Sequence, residues 1–342
     1  MSMKSKMITC PVCGQGLGRA PVSARCSGCG TENAFLEYFS SGEAFREWTR
    51  NIQIAKAAYL QQRREYVRSH GRLIVGPEYV AYHDAGTGKL TVASGNSVTE
   101  SNNVQGYSVS NLHQLTLSSK GTVTAKGDSE AGQNQVAGLT DIVHVLAAPR
   151  CSYFVAGNGN VTARGACAIK SQIESWNNIT ALACGTQHLV GLRKDGTVVQ
   201  ADYSVAGRSS AETAGWKNVT AIAAAGNYTL GLHADGTVSY AGPAPDARQE
   251  VSGWRNVVAI AADYYYAVGL TAEGNILLAG KCVPFLDNGR SSAAQWSDVV
   301  CIAAGYGMIA GLDTGGKLLL AGSLLGDAQI KEGFSRTNPA KL

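Results

Sequence analysis

Four cysteines near the start of the chain carry the clearest chemistry. Cys10-Pro-Val-Cys13 and Cys26-Ser-Gly-Cys29 are two C-x2-C pairs with twelve residues between them. Gly14 and Gly30 follow the second cysteine of each pair. A glycine there lets the backbone turn so that its amides face the sulfurs. Four thiolates at this spacing suit tetrahedral zinc. A closed set of four leaves no open coordination position, so the expected Zn²⁺ is structural rather than catalytic. The alternative, four unrelated thiols, leaves a segment with too few apolar residues for a core of its own. Zinc binding would supply its folding energy.

Chemistry of other kinds is missing from the sequence. No nucleophile elbow, P-loop, H-E-x-x-H or dinucleotide-binding glycine motif is present. The six histidines are dispersed, and none pairs with a nearby Cys or carboxylate at ligand spacing. His113 and His188 share a repeat column with Cys151, Tyr228, Tyr266 and Met308. A position that accepts Met does not do acid–base work in every repeat, so the expected role is a structural polar group bonded to backbone. The expectation is therefore a protein that is not an enzyme. Cys151, Cys167, Cys184, Cys282 and Cys301 are scattered. They read as free buried thiols in a reducing cytoplasm. Residues 8–32 resemble a zinc ribbon, a class that binds protein or nucleic acid.

What positions everything else is a repeat. The skeleton Trp, fourteen residues, Gly-Leu, three residues, Gly occurs at Trp176, Trp216, Trp254 and Trp296. Aligning on the last glycine recovers weaker copies upstream. The turn glycines are Gly88, Gly121, Gly159, Gly196, Gly236, Gly274 and Gly316, which makes seven repeats. Asn158-Gly159, Asp195-Gly196 and Asp235-Gly236 signal two-residue hairpins between short apolar runs. The expected unit is a three-strand meander, with a weaker fourth strand in each connector, such as 247–252. One such sheet cannot bury both faces, but seven arranged radially can. The small residues of 221–224, 259–262 and 301–304 suit a strand near the axis, where space is scarce. The tryptophans suit packing between blades rather than ligand cages.

Two columns vary while this frame does not. They read Asn111-Leu112, Pro149-Arg150, Thr186-Gln187, Gly226-Asn227, Tyr264-Tyr265 and Tyr306-Gly307. Every repeat turns there, so these residues are expected at one end of the ring. A rigid frame with varied tips is a common way to build a binding surface. Tyrosine and arginine also dominate interface hot spots. Arg150, Gln187, Asn227, Tyr264, Tyr265 and Tyr306 are therefore the candidate partner-binding face.

The N-terminal part differs in charge. Residues 1–70 hold ten Lys/Arg and five Glu, so +5; the rest of the chain holds the other 19 Lys/Arg and 20 Asp/Glu, so −1. Phe45, Trp48, Ile52, Ala55, Tyr59, Gln62 and Tyr66 alternate steps of three and four, the pattern of an amphipathic helix. Arg50, Lys56, Arg63, Arg64 and Arg68 fall on its other faces. Two readings stay open for the stripe: packing within the protein, or self-association or groove binding through helix 42–68. The expected domains are a zinc ribbon at 1–35, a helix and linker at 36–70, and a propeller at 71–342. No apolar run approaches the ~18 residues a membrane span needs, and 1–7 is basic with no apolar stretch after it. The expected location is cytoplasmic, away from membranes.

The pattern W-x-N-V-x-A-I-A-A-G, continued through G-L-x-x-D-G-T-V, resembles the repeat of the regulator of chromosome condensation family. The resemblance covers roughly 72–342 and is sharpest in the last four repeats. It implies an all-β, seven-bladed β-propeller that uses the disc as a protein-docking surface. One departure is plain: the family's Trp before the closing glycine is replaced by Ala201, Ala241, Ala279 or Ala321. Guanine-nucleotide exchange activity is not expected, because no connector is long enough for the protruding wedge the family's exchanger uses. The favoured function is a protein-binding scaffold with the N-terminal module as a second contact. The alternative is a nucleic-acid-associated regulator whose residues 1–70 touch phosphate.

Overall fold

A computed structural model describes residues 8–10, 12, 16–18, 24–25, 32–33, 42–94, 97–203, 210–280, 287 and 289–322. The chain forms two compact units, 1–65 and 66–342.

In the first unit, two short antiparallel pairs precede a long helix. Ile8–Thr9 pairs with Gly16–Gly18, and Ala24–Arg25 with Glu32–Asn33. In sequence, one C-x2-C pair lies within each of these two connections. The helix Gly42–Ser69 follows. Ile52, Ala55 and Tyr59 pack against buried Cys10 and Val12. That part of the apolar stripe is thus covered from within the unit. Gln62 departs from the expected stripe and is exposed. Arg64, expected on a solvated face, is buried, as is Leu60.

The second unit is a seven-bladed β-propeller. Blade 1 (72–101) is a four-stranded meander. Blades 2 to 7 (104–127, 142–165, 179–202, 219–241, 257–279 and 299–322) each have three antiparallel strands. The first strand of each blade touches the first strands of its neighbours, and Val299–Gly305 closes the ring on Arg72–Val75. First strands therefore surround the axis, and the alanine-rich runs lie there as expected. The closing seam buries Leu73, Val75, Val80 and Tyr82 with Val300, Met308, Ala310 and Leu312. Cys301 takes part in it: its sulfur accepts from Leu73 N at 3.3 Å and donates to Gly71 O at 3.5 Å.

The tryptophan-to-glycine spacing has a direct steric cause. A Cβ at Gly231 would lie 2.6 Å from the Trp216 ring; at Gly191 it would lie 3.0 Å from Trp176, and at Gly269 and Gly311 2.9 Å from Trp254 and Trp296. The middle-strand glycine is the seat of the indole. Three of the indoles also cluster with the preceding blade: Trp176 with Tyr153 and Val155, Trp216 with Val190, Leu192 and Val198, and Trp254 with Leu230 and Leu232. The tryptophans are inter-blade packing.

The expected fourth strand forms in blade 1, as Ser97–Ser101, but not in the described connector residues of blades 2 to 7. Lys170–Ile173, Ser210–Thr213 and Pro245–Ser252 are α-helices, and Arg290–Gln295 is a 3-10 helix. In the segment expected to be a strand, proline stands at the start of the helix and Ala, Arg, Gln and Glu follow, all good helix formers. These helices hold the outer strand by its end: Glu212 accepts from Gly242 N at 3.0 Å and Glu250 from Gly280 N at 2.9 Å.

The cysteine expectation is corrected in one respect. Cys151 and Cys167 form a disulfide, with Cα atoms 5.4 Å apart. Cys151 opposes Gly165 in the sheet, so a chain that turns back two residues later brings Cys167 alongside it. Cys184 and Cys301 are free thiols, both pushed up to about 11 by burial. Cys282 lies outside the described residues. The disulfide removes the argument from thiols for a reducing compartment. No helix among the described residues is long and apolar enough to cross a membrane.

Candidate functional site

The two ends of the propeller are built differently. At one end lie the hairpins between second and third strands, each turning on a glycine. At the other lie the turns between first and second strands, here called tip turns.

The hairpin end is uniform. The residue just before the first strand of blades 2 to 7 adopts a left-handed backbone: Asn103, Asp141, Asn178, Asn218, Asn256 and Asp298, with φ between 55° and 58°. Asn and Asp tolerate this conformation better than other side-chain-bearing residues. Each carbonyl of the six accepts from its own blade's hairpin, as in Ala234 N to Asn218 O at 3.0 Å. In blades 2 and 4 to 7 the next amide then bonds the turn glycine of the preceding blade. Val219 N to Gly196 O and Val257 N to Gly236 O, both 3.0 Å, are two cases. The repeat thus stitches neighbouring blades with backbone alone.

The tip end carries the variation. All six candidate residues are in tip turns. Arg150, Gln187, Asn227, Tyr264 and Tyr306 are exposed, while Tyr265 is half-buried. Neighbouring tip turns bond one another. Thr186 N donates to Gly226 O at 2.8 Å between blades 4 and 5. Thr186 Oγ1 donates to Asn227 Oδ1 at 3.1 Å. Tyr228 Oη lies 2.8 Å from Asp263 O between blades 5 and 6. The tips of blades 4, 5, 6 and 7 are joined in this way, and Arg150 stands on the tip of blade 3.

Two features mark this end. Among the described residues, eight non-glycine positions have positive φ. Six are the structural Asn/Asp column; the other two are Arg150 (φ 59°) and Tyr306 (φ 52°). Neither has the short polar side chain that eases this conformation, so each stores local strain. In addition, Tyr264 and Tyr306 are two of the four exposed large apolar residues among the described ones, at 59% and 43%. The Tyr264 ring meets Tyr265 edge-on, with centroids 5.0 Å apart. Burial pushes the Tyr306 phenol up to about 12, with the Cys184 thiol of blade 4 adding to it. At neutral pH it is an uncharged hydrogen-bonding group.

The histidine column braces this end from beneath. His113 Nε2 lies 2.6 Å from Ser152 Oγ, and His188 Nε2 lies 2.9 Å from Thr229 Oγ1. Both partners are hydroxyls of the next blade; His188 also bonds the backbone of Tyr228, as expected from the sequence. Burial lowers both imidazole pKa values. In blade 3 the column holds Cys151, whose disulfide to Cys167 ties the second strand to the chain leaving the blade's own third strand.

Two contributions to this end escape a sequence reading. Blade 1 is too degraded to align at its tip, yet its tip turn carries half-buried Tyr79 beside Tyr107, whose hydroxyls are 3.4 Å apart. Gly76-Pro77 just before it is the turn signal that marks the place. The second is Asp263, in a column otherwise filled by Ser110, Ala148, Gly185, Ala225 and Gly305. It is 99% buried and paired with an equally buried Arg290, Oδ2 to Nη1 2.6 Å.

Of the zinc ligands, only Cys10 is described, and it is buried; Cys13, Cys26 and Cys29 lie outside the described residues. The donor set of four cysteines, one pair within each of two hairpin connections, fits a structural Zn²⁺.

No family model matches the chain, and no curated protein matches it. Solved structures do. The ectodomain of the Arabidopsis thaliana receptor kinase ACR4, titled a CRINKLY WD40 ectodomain, matches at TM-score 0.56 and 15% identity, over 74% of this chain and 94% of that one. Human WBSCR16 matches at TM-score 0.51 and 15% identity, over 75% and 88%. Prp20p from Saccharomyces cerevisiae matches at TM-score 0.49 and 16% identity, over 76% and 84%. At these identities the first two establish likeness of fold: the chain from 66 onward is a β-propeller of the kind they share.

Proposed function

We propose that this protein is a non-enzymatic scaffold that docks a protein partner on the tip end of its propeller. The observation that carries this reading is the coincidence of strain and exposure at Arg150 and Tyr306. A bulky side chain held at positive φ on an exposed turn does nothing for the fold that glycine would not do better. Exposed Tyr264 adds a second large amphipathic ring to the same end, and such rings contribute much area at low entropy cost. The frame beneath is rigid and cross-braced, so the surface is formed before a partner arrives. Affinity capture with the wild-type chain, compared with the variant Tyr264→Ala, Tyr265→Ala, Tyr306→Ala, tests the reading. Proteins retained by the first and lost by the second are the expected result. Identical captures by a folded variant would count against it.

For the N-terminal module we infer one structural Zn²⁺ held by Cys10, Cys13, Cys26 and Cys29, which ties the two short hairpins together. Metal analysis of protein purified without chelator should give about one equivalent. Less than about half an equivalent would contradict it.

A further inference from the structure

We infer that the Asp263–Arg290 ion pair is a positioning element that holds the two tyrosine-bearing turns of blades 6 and 7 in one shape. The two side chains are 1% and 2% exposed, and a buried pair of this kind is a poor way to gain net stability. Its surroundings give it another use. Asp263 immediately precedes Tyr264 and Tyr265. Its Oδ2 accepts from Arg290 Nη1 at 2.6 Å, and its Oδ1 accepts from Gly307 N at 3.2 Å, the residue after Tyr306. One carboxylate therefore sits at the base of one tyrosine turn and bonds the backbone of the other.

Arg290 completes the clamp from below. Its guanidinium carbon lies 5.1 Å from the Tyr265 ring centroid and 5.7 Å from that of Tyr266. This is the range in which a cation is attracted by an aromatic face. Its Nε donates to Asp287 O at 3.0 Å, and Asp287 Oδ1 accepts from the Tyr266 hydroxyl at 2.9 Å. Asp263 O, in turn, lies 2.8 Å from the Tyr228 hydroxyl of blade 5. Tips of three blades thus converge on one ion pair. The aligned position is uncharged in blades 2 to 5 and 7, so the device is specific to the tyrosine turns. Its consequence for binding rests on the tip end being the docking surface.

The test is hydrogen–deuterium exchange on the full chain without any partner. The variant Asp263→Asn with Arg290→Gln removes both charges together and leaves no buried ion alone. Charge-assisted bonds of this type are worth enough that their loss should lower protection by about tenfold or more at 263–267 and 305–308. Tip turns at 148–151 and 185–188 should keep their protection. Unchanged protection at both tyrosine turns would overturn the inference. So would an equal loss all around the ring, which is what a purely structural role predicts. If the double variant does not fold, Asp263→Asn carries the test with the same two outcomes, since it keeps the size of the side chain but removes the carboxylate that Arg290 and Gly307 N share. Because exchange is read without a partner, a failure here is separable from a failure of the tip end to bind.

Discussion

The hairpin end and the tip end of the propeller solve the same geometric problem with different chemistry. Both must turn the chain and both must hold one blade to the next. The hairpin end does this with backbone groups and with Asn, Asp and Gly, repeated nearly unchanged around the ring. The tip end relies largely on side chains, and a different one almost every time: His113 to Ser152, His188 to Thr229, Tyr228 to the backbone of blade 6, Asp263 to the backbone of blade 7, and within blade 3 a disulfide at Cys151. A fold that needs only a frame has no use for such variety. This difference is what supports the proposal that the tip end is the docking surface.

The largest effect that would sharpen this contrast is expected from Arg290→Ala. It leaves Asp263 buried without its countercharge, and breaking a buried pair in this way costs about 3–5 kcal/mol. Chemical denaturation should show that loss. A cost below about 1 kcal/mol, the range of exposed pairs, would mean water reaches the carboxylate and the tip clamp is weaker than its geometry implies.

Gly231→Val probes the frame itself. The first added carbon would stand 2.6 Å from the Trp216 ring, so the indole must leave its seat. Overpacking of this kind costs about 1–3 kcal/mol, and the repeat makes the same prediction for Gly269 and Gly311. A neutral effect would show that the Trp–Gly contact is not what fixes the repeat spacing.

Acid should weaken the tip braces before the hairpin stitching. Burial lowers the pKa of His113 and His188 in the folded chain, so the unfolded chain takes up protons first. Their contribution is fully present above the unfolded value, about 6.5, and is lost as pH falls toward the folded values. A lower melting temperature at pH 5 than at pH 7 is expected, and His188→Gln should flatten the difference. Burial brings His144 of blade 3 down to about 4, and it acts in the same direction.

The smallest effect is expected at Arg150. Its left-handed backbone costs an ordinary residue roughly 1–2 kcal/mol, which glycine avoids while giving up chain entropy. Arg150→Gly should leave stability unchanged or raise it by up to about 1 kcal/mol. A clear loss of stability would mean the side chain supports the fold, against the division of labour between the two ends.

Much of this was legible in the sequence because it repeats. Seven turn glycines gave the blades, and the Trp-to-Gly interval gave a contact that the structure shows to be steric. The alanine-rich runs placed the axis. What failed to read was what occurs once. The connectors look half-apolar in sequence, yet Pro245 and the helix formers after it decide for helix over a fourth strand. Cys151 and Cys167 are sixteen apart, and only the sheet register brings them together. Tyr79 sits in the copy that has lost its Trp and His. Arg290 reaches Asp263 from a connector, a pairing that no repeat column encodes. The candidate face was readable as a set of positions, but its rigidity comes from these single, non-repeating contacts.

The central claim is that the tip end binds and the hairpin end only holds. The most direct measurement compares two surface variants for affinity toward a partner captured by the wild-type chain. One is Tyr264→Ala, Tyr265→Ala, Tyr306→Ala at the tips; the other is Lys120→Ala, Lys194→Ala, Thr314→Ala at exposed hairpin positions. Neither should change the melting temperature much. Hot-spot aromatics are typically worth at least ~2 kcal/mol, so the tip variant should bind more than about tenfold more weakly while the hairpin variant binds as the wild type does. Unchanged binding by a folded tip variant, or a loss confined to the hairpin variant, would contradict it.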